Sequence, residues 1–342
     1  MFESKLHLKV HSLIILTFIF TGILCPLLTQ AQNHEVVAEK GDGIYRLLTR
    51  NGLPATQYAE SFIELNKERL GKENTLYAGR KYKLPVKSDG VAIKSGGRSV
   101  RHEIFGKDYA DVEIIDDRLK GAVYYLVSGH GGPDPGAVGK YNNWLLCEDE
   151  YAYDVTLRLA RNLIQHSATV YMIIRDNNDG IRNDSYLKPD KDEVCYFNDK
   201  IPLNQLRRLK QRTDAVNELS QKHKGSFQRM VVLHVDSRSH GENIDVFFYH
   251  DKESRTGHKV AGILQKTFQQ KYDRHQPGRG YKGTVSNRNL YVVRNSYPVA
   301  VYIELGNINH FRDQQRFIIP GNRQALANWL FEGLSEDFKT RK

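Results

Sequence analysis

From Gly121 onward the chain alternates between two kinds of apolar pattern. Short runs rich in β-branched and aromatic residues, a composition typical of strands, lie at 168–174, 230–233, 244–249, 290–293 and 299–303. Between them, apolar residues recur at helical spacing, as at Ala152, Val155, Leu159 and Leu163. This alternation predicts an α/β fold with a mixed, largely parallel sheet covered by helices on both faces.

A glycine-rich turn follows the apolar run 123–127. It reads Ser-Gly-His-Gly-Gly-Pro-Asp-Pro-Gly-Ala over residues 128–137 and contains one histidine, His130. A strand that ends in flexible glycines can present an imidazole at the edge of a sheet, where sites in α/β proteins form. A lone histidine after a strand is more often structural, so the turn by itself predicts no site.

Three later residues support a functional site at this turn. Glu150 opens a helix-like stretch, His234 ends one apolar run and Glu304 ends another. If the strands are parallel, all of these residues lie along one edge of the sheet. Two imidazoles and a carboxylate form the open shell of a hydrolytic zinc site, and a second carboxylate beside it can carry a proton.

Each of these residues also has a structural explanation. Glu150 can be a carboxylate favoured by the helix dipole, and Glu148 and Asp149 are equivalent neighbours. Glu304 follows a strongly apolar run, where an unpaired carboxylate costs several kcal/mol, so a structural and a functional role are equally open. Only the combination predicts a metal centre.

The same segments resemble the zinc-dependent N-acetylmuramoyl-L-alanine amidases over residues 121–338. Besides the turn and Glu150, the resemblance rests on Leu-His-Val-Asp-Ser at 233–237 and Pro-Val-Ala-Val-Tyr-Ile-Glu-Leu-Gly at 298–306. It extends to Ile-Arg-Asp at 174–176 and to Arg-Thr-Asp-Ala-Val-Asn at 212–217. The chain departs from the family after Glu304, where Leu-Gly stands in place of an aromatic and a small residue.

The resemblance implies one Zn²⁺ per catalytic domain, held by His130, Glu150 and His234, with Glu304 as the catalytic acid/base. The implied reaction is hydrolysis of the amide between N-acetylmuramic acid and L-alanine in peptidoglycan, during cell-wall remodelling, daughter-cell separation or turnover. Two alternatives stay open. One alternative is a zinc peptidase that acts on stem peptides, and the other is a non-catalytic peptidoglycan-binding protein.

The first 31 residues have the features of an export signal. Lys5 and Lys9 precede an apolar stretch at 13–28, which Thr-Gln-Ala follows as a small-residue cleavage pattern. We expect a signal peptide at 1–31 and export to the periplasm or cell envelope. The alternative is an uncleaved anchor, and only then is membrane association expected.

Residues 35–86 have the pattern of a separate small module, followed by a linker at 87–99 and the catalytic domain at 100–342. The module resembles the LysM domain at Gly41-Asp42, Asn66, Gly79, Leu84 and Pro85. The resemblance implies a strand-helix-helix-strand unit that binds glycans containing N-acetylglucosamine. The alternative is an unrelated α+β cap.

The net charge of +10, from 50 Lys and Arg against 40 Asp and Glu, favours anionic partners such as acidic envelope polymers. No basic run with interleaved aromatics is present in the sequence, so we expect no nucleic-acid partner. A long polar segment at 176–205 is either a docking site for a regulatory protein or a solvated excursion. Its glycine does not fit an EF-hand loop, so we predict no calcium there.

Three cysteines are present, and Cys25 falls within the expected leader. Cys147 and Cys195 would remain in an oxidising compartment. The sequence leaves open whether they form a disulfide or stay as two buried thiols.

Overall fold

The computed structural model describes residues 34–39, 42–53, 55–71, 74–85, 98–237 and 241–341. These residues belong to two compact units, divided between positions 91 and 92. The expected signal peptide and residues 87–97 of the expected linker lie outside the described ranges. Within those ranges, no helix has the length and apolar character needed to cross a bilayer.

The smaller unit contains β1 (Glu35–Val37), α1 (Ile44–Arg50), α2 (Ala55–Leu65) and β2 (Lys81–Lys83). The two strands pair antiparallel, and the helices bury their apolar residues against them. The order of elements is the one that the LysM resemblance implies. Membership of that family and glycan binding remain predictions.

Asn66 ties the second helix of this unit to its last strand. Its side-chain amide donates to the carbonyls of Phe62 and Lys83, both at 2.8 Å, and its carbonyl accepts from the Lys83 N–H at 2.8 Å. Because Asn66 is fully buried, these bonds satisfy polar groups that water cannot reach. A buried asparagine at this position is therefore explained by structure alone.

The larger unit is built from more elements. Its strands are β3 (Ser99–Arg101), β4 (Asp111–Glu113), β5 (Ala122–Ser128), β6 (Val138–Tyr141), β7 (Trp144–Cys147), β8 (Thr169–Met172), β9 (Ile174–Arg175), β10 (Val194–Cys195), β11 (Asp199–Lys200), β12 (Phe227–Asp236), β13 (Phe247–His250), β14 (Val285–Asn287) and β15 (Val299–Asn307). Its helices are α3 (Glu148–Gln165), α4 (Gln205–Gln221), α5 (Arg255–His275), α6 (Tyr291–Arg294), α7 (Phe311–Ile318) and α8 (Pro320–Lys339).

Six strands form the main sheet, in the order β14-β13-β15-β12-β5-β8. The four strands β15, β12, β5 and β8 run parallel, whereas β13 is antiparallel to β15 and parallel to β14. The predicted mixed, largely parallel sheet is therefore confirmed. Its longest strands, β12 and β15, lie at the centre, where both faces are covered.

Alternate residues of the central strands enter two separate cores. Tyr124 and Leu126 face a core shared with α3, α5 and α8, whereas Val123, Tyr125 and Val127 face a core shared with α4 and α6. This is the two-residue period of a strand with both faces buried. Helices on both faces, as predicted, are confirmed.

One apolar run differs from the expectation. Residues 290–293 were expected to form a strand, but Tyr291–Arg294 form the short helix α6, and Val292 and Val293 pack into the core beside α4. A four-residue apolar run has no periodicity that separates a strand from a buried helical turn. The position of the run above the sheet, and not its composition, decides its conformation.

A hairpin of β6 and β7 leads directly into α3. The strands pair Val138 with Cys147 and Tyr141 with Trp144, which leaves Asn142 and Asn143 as the turn. Asn142 has a φ of 52°, a left-handed conformation that asparagine tolerates better than most residues. At the tip, Trp144 stacks on Tyr186 with ring centroids 4.7 Å apart.

Candidate metal centre

Neighbouring parallel strands deliver three of the expected site residues to one edge of the sheet. His130 lies two residues beyond β5, His234 lies near the end of β12, and Glu304 lies in β15 directly beside His234 in the strand register. All three line an open cavity of about 540 Å³. The structure therefore brings His130, His234 and Glu304 together.

The carboxylate that joins the two histidines is Glu148. It is the first residue of α3 and is buried, and its N–H donates to the Ala137 carbonyl at 2.9 Å at the base of the hairpin. Its Oε2 accepts from the Ala137 N–H at 2.8 Å, and its Oε1 accepts from the Val235 N–H at 2.9 Å. Backbone groups from both neighbouring segments thus fix the carboxylate in place.

The donor atoms of these three side chains converge. Glu148 Oε2 lies 3.2 Å from His130 Nε2, and Glu148 Oε1 lies 2.8 Å from His234 Nδ1. Ligands about 2.1 Å from a tetrahedral ion are separated by about 3.4 Å, which is close to these spacings. Two imidazoles and a carboxylate are also the donor set that zinc prefers, so the residues fit a zinc ion.

Two glycines make room for the cluster. A Cβ on Gly129 would come within 2.5 Å of His234 Nδ1, and a Cβ on Gly136 would come within 2.6 Å of the His130 ring. Real Cβ atoms do not approach other atoms this closely. The glycines of the turn at 128–137 are therefore needed for the close approach of the ligand side chains.

Glu150, the expected third ligand, lies elsewhere, and this part of the sequence interpretation is corrected. Its Oε2 accepts from Arg182 at 2.9 Å, and its Oε1 accepts from the Asp190 N–H at 3.0 Å. Successive helical residues are rotated by about 100°, so residues two apart point in nearly opposite directions. Because α3 begins at Glu148, that residue faces the histidines and Glu150 faces the segment at 176–193.

Polar groups around His130 fix its ring and its backbone. Asp134 accepts at 2.8 Å from His130 Nδ1, so the other ring nitrogen, Nε2, faces Glu148. Arg208 forms an ion pair with the Asp134 carboxylate. The guanidinium of buried Arg212 donates to the His130 carbonyl. A carboxylate on the far nitrogen of a metal-binding histidine sets its tautomer and orientation.

The protonation states of the cluster allow a cation to bind once one proton is displaced. Burial raises the pKa of Glu148, but hydrogen bonds with both histidines outweigh it and hold the pKa far below the ordinary value. Burial lowers the pKa of His234 despite its bond to Glu148. Burial also lowers the pKa of His130, but Asp134 and Glu148 raise it to about 9. An ionised carboxylate and neutral imidazoles are the forms that bind metals, so a cation competes with one proton on His130.

Sequence reasoning assigned no role to two neighbours of the histidines. Asp134 lies within the glycine-rich turn at 128–137 and bonds to His130. Tyr302 stacks on the His234 ring with centroids 4.4 Å apart. The spacing of four residues between His130 and Asp134 is a weak signal in a loop, because it has meaning only once the turn is folded. Tyr302 is on the same face of β15 as Glu304, two residues earlier, a relation that the period of a strand could have indicated.

Comparisons with known proteins identify a family for this chain. Residues 125–336 match the Amidase_3 family, described as N-acetylmuramoyl-L-alanine amidase. A probable cell wall amidase, LytH, of Staphylococcus aureus is 23% identical in an alignment of 245 positions that covers 66% of this chain and 64% of the relative's length. This chain thus matches less than two thirds of that relative.

Solved structures with a similar fold include an N-acetylmuramoyl-L-alanine amidase from Clostridium difficile 630, with 19% identity and a TM-score of 0.47 over 66% of this chain and 100% of that one. The catalytic domain of the amidase CwlV from Bacillus (Paenibacillus) polymyxa var. colistinus has 19% identity and a TM-score of 0.46. That match covers 64% of this chain and 99% of the other.

Proposed function

Because this chain belongs to the N-acetylmuramoyl-L-alanine amidase family, we propose that it is a zinc-dependent hydrolase that cleaves the amide between N-acetylmuramic acid and L-alanine in peptidoglycan. The observation that carries this proposal is the convergence of His130 Nε2, His234 Nδ1 and the Glu148 carboxylate at an open cavity that Glu304 also lines. One zinc ion would be held by these three residues. Glu148 replaces Glu150 in this assignment.

A bound zinc ion supplies Lewis-acid chemistry, since it polarises a carbonyl and lowers the pKa of water to about 7. The protein must then move a proton. Glu304 is a buried carboxylate beside His234 on the cavity wall, so it can accept the proton of the attacking water. It then transfers that proton to the leaving nitrogen of L-alanine, which departs as an amine.

Orientation of the ligands is the role we assign to Asp134 and Tyr302. Asp134 holds His130 Nδ1, and Arg208 in turn holds Asp134, so rotation of the imidazole breaks its bond to a carboxylate that is itself held in place. The ring of Tyr302 covers one face of His234. Both contacts oppose rotation of the ligand rings, which would reduce the conformational entropy lost when a metal binds.

The substrate polymer lies outside the cytoplasmic membrane, which agrees with the export signal expected at 1–31. The name of the staphylococcal relative describes it as a cell wall amidase. The LysM-like unit would tether the catalytic domain to the same glycan and raise the local concentration of a weakly held substrate. We therefore place the site of action in the periplasm or cell envelope.

We also propose that a regulatory protein docks at 176–205. The end of this segment exposes apolar side chains beside the cavity: Leu203 is 76% exposed and Leu206, the second residue of α4, is 60% exposed. The neighbouring residues Gln205 and Arg208 line the cavity. A protein bound to these leucines would contact the mouth of the site.

The test is digestion of purified peptidoglycan by the full chain, with and without a zinc chelator, followed by mass spectrometry of the new ends. The proposal expects lactyl carboxylates paired with free L-alanine amines, and chelation should abolish both. Cuts within the stem peptides would instead identify a peptidase. Binding without products, in protein shown to contain zinc, would identify a non-catalytic protein.

A further inference from the structure

A second group of acidic side chains lies behind the metal centre. Asp149 and Glu150 belong to the first turn of α3, and Glu193 ends the segment at 176–193. Each of these three carboxylates offers an oxygen within 4.8 Å of the others. We call Asp149, Glu150 and Glu193 the acidic triad.

The acidic triad is shut off from solvent. Asp149 and Glu150 are each 2% exposed and Glu193 is 6% exposed. Asp149 Oδ1 accepts from the Glu150 N–H at 2.9 Å, whereas Asp149 Oδ2 is buried without a hydrogen-bond partner among the described residues. A buried carboxylate oxygen that lacks a partner costs free energy, so it indicates a missing ligand.

The negative charge of the acidic triad is only partly balanced. Arg182 pairs with Glu150, but it also pairs with Asp179. Glu193 accepts from the Gly132 N–H at 2.6 Å, and the charged groups that affect it most are the acids Asp176 and Asp190. If all three carboxylates are ionised, one shared arginine leaves about two negative charges, which a divalent cation would neutralise.

The oxygens are close enough together to contact one hard cation. Two oxygens that are each about 2.4 Å from one calcium ion lie at most about 4.8 Å apart. Carboxylates are the ligands that calcium prefers, and its flexible coordination accepts carbonyls and water in the remaining positions. The spacing and the ligand type thus agree with calcium without an EF-hand loop.

We propose that Asp149, Glu150 and Glu193 bind one hard divalent cation of the calcium type. The three residues come from α3 and from the segment at 176–193, and Glu193 also holds Gly132 in the His130 turn. The cation therefore fastens that segment and the turn to the helix that carries Glu148. This site is separate from the zinc site and does not depend on the reaction that the protein catalyses.

An adjacent acidic group does not carry the same argument. Asp176, Asp179 and Asp190 also bring oxygens within 4.8 Å of one another, but Asp176 accepts from two backbone N–H groups and Asp179 is paired with Arg182. The buried oxygen without a described partner belongs to Asp149. The competing explanation for the acidic triad is a proton on Asp149, and the experiment must separate a proton from a cation.

The experiment uses the full chain with zinc bound and other cations removed by gel filtration, with zinc content checked by elemental analysis. Calcium chloride is titrated while the melting temperature is followed, and Tb³⁺ luminescence excited through tyrosine reports direct binding. The variants are Asp149→Asn and Glu193→Gln. Asp184→Asn, an exposed acid on the same segment, is the matched control.

We expect one calcium ion per chain and a rise in melting temperature of about 5 °C or more at 100-fold excess over Kd. Asp149→Asn and Glu193→Gln should lose the rise and the Tb³⁺ signal while they keep zinc, and Asp184→Asn should behave like the wild type.

The proposal is overturned if calcium leaves the wild-type melting temperature unchanged, or if both triad variants retain the response. It is also overturned if Asp149→Asn melts higher without calcium and calcium has no effect, because that result indicates a protonated Asp149. Should Asp149→Asn fail to fold, the wild type and Glu193→Gln decide.

Discussion

His234 and Glu304 occupy paired positions on the adjacent parallel strands β12 and β15, so a candidate metal ligand and the candidate proton carrier project from the same face of the sheet. Neither residue depends on a loop for its position. The separation between the candidate metal ligand and the candidate proton carrier is therefore set by the spacing of two strands.

Glu304→Gln should keep the shape of the site and remove the group that carries the proton. We expect turnover on peptidoglycan to fall by about 10²–10⁴-fold, the usual contribution of a general acid/base, with zinc bound at one equivalent. Product release by mass spectrometry and elemental analysis measure the two quantities. Glu253→Gln, an exposed acid of the same domain, is the control, and full activity in Glu304→Gln would exclude this residue from the mechanism.

Glu148→Gln and Glu150→Gln should separate the two acids at the start of α3. Glu148→Gln should weaken zinc binding by more than the roughly 10–100-fold that follows loss of an outer partner. Glu150→Gln should keep zinc, because Glu150 contacts Arg182 and not the histidines. Competition with a chromophoric chelator measures both affinities. The opposite order of affinities would restore Glu150 as the ligand.

Asp134→Asn should test the support of His130. The amide keeps the size of the side chain but loses the charge that orients the His130 ring and pairs with Arg208. We expect zinc affinity to fall by about 10–100-fold. The same chelator competition applies, with Asp184→Asn as control. Unchanged affinity would mean that the turn alone holds the ring.

Gly129→Ala should disturb the site through size alone. The added Cβ would meet His234 Nδ1 at 2.5 Å, so we expect weaker zinc binding and lower activity with little change in folding. Gly262→Ala is the matched control, because it lies within α5 with nothing within 4 Å of the new Cβ. The free energy of unfolding of that control should rise by about 0.4–1 kcal/mol, because alanine reduces the conformational entropy of the unfolded chain. If Gly129→Ala binds zinc normally, the ligand set has more freedom than the structure shows.

The buried acid Asp154 should control stability at low pH. Burial raises its pKa, but the charges of Arg158 and Arg323 outweigh that effect and hold the pKa below the ordinary value. Because the folded pKa is lowered, its stabilisation is complete above the unfolded pKa of about 3.9 and is lost as pH falls through the folded value. Asp154→Asn should cost about 3–5 kcal/mol at pH 7, because it leaves two buried guanidinium groups without their carboxylate.

Denaturant unfolding of this variant and the wild type across pH 2–7 tests the sign. The difference in free energy of unfolding should shrink as pH falls. A difference that stays constant over that range would mean that the pKa of Asp154 is the same in the folded and unfolded protein.

The sheet and its covering helices could be predicted because their patterns are long and repeat. The helical spacing from Ala152 to Leu163 repeats often enough to fix a period. The short apolar runs at 299–303 and 290–293 have no such period, and the first lies in β15 whereas the second enters α6. Packing of Val292 and Val293 against the sheet decides that helix, and packing is not visible in a four-residue pattern.

The candidate site shows the same limit at the scale of one residue. His130, His234 and Glu304 follow apolar runs of the sequence, so the ends of those runs locate them. The third candidate ligand lies on a helix, where an error of two residues in the starting position reverses the direction of a side chain. The pairing of Val138 with Cys147 fixes that start, and a hairpin register is a contact across the turn that the amino-acid order alone does not specify.

The hairpin of β6 and β7 has a further consequence for how such an enzyme can diversify. His130 precedes the hairpin and Glu148 follows it, and the bonds between Ala137 and Glu148 close its base. The tip, with Asn142, Asn143 and exposed Trp144, makes no part of that closure. Residues can therefore be inserted or exchanged at the tip while the bonds that place His130 beside Glu148 at the candidate site are kept.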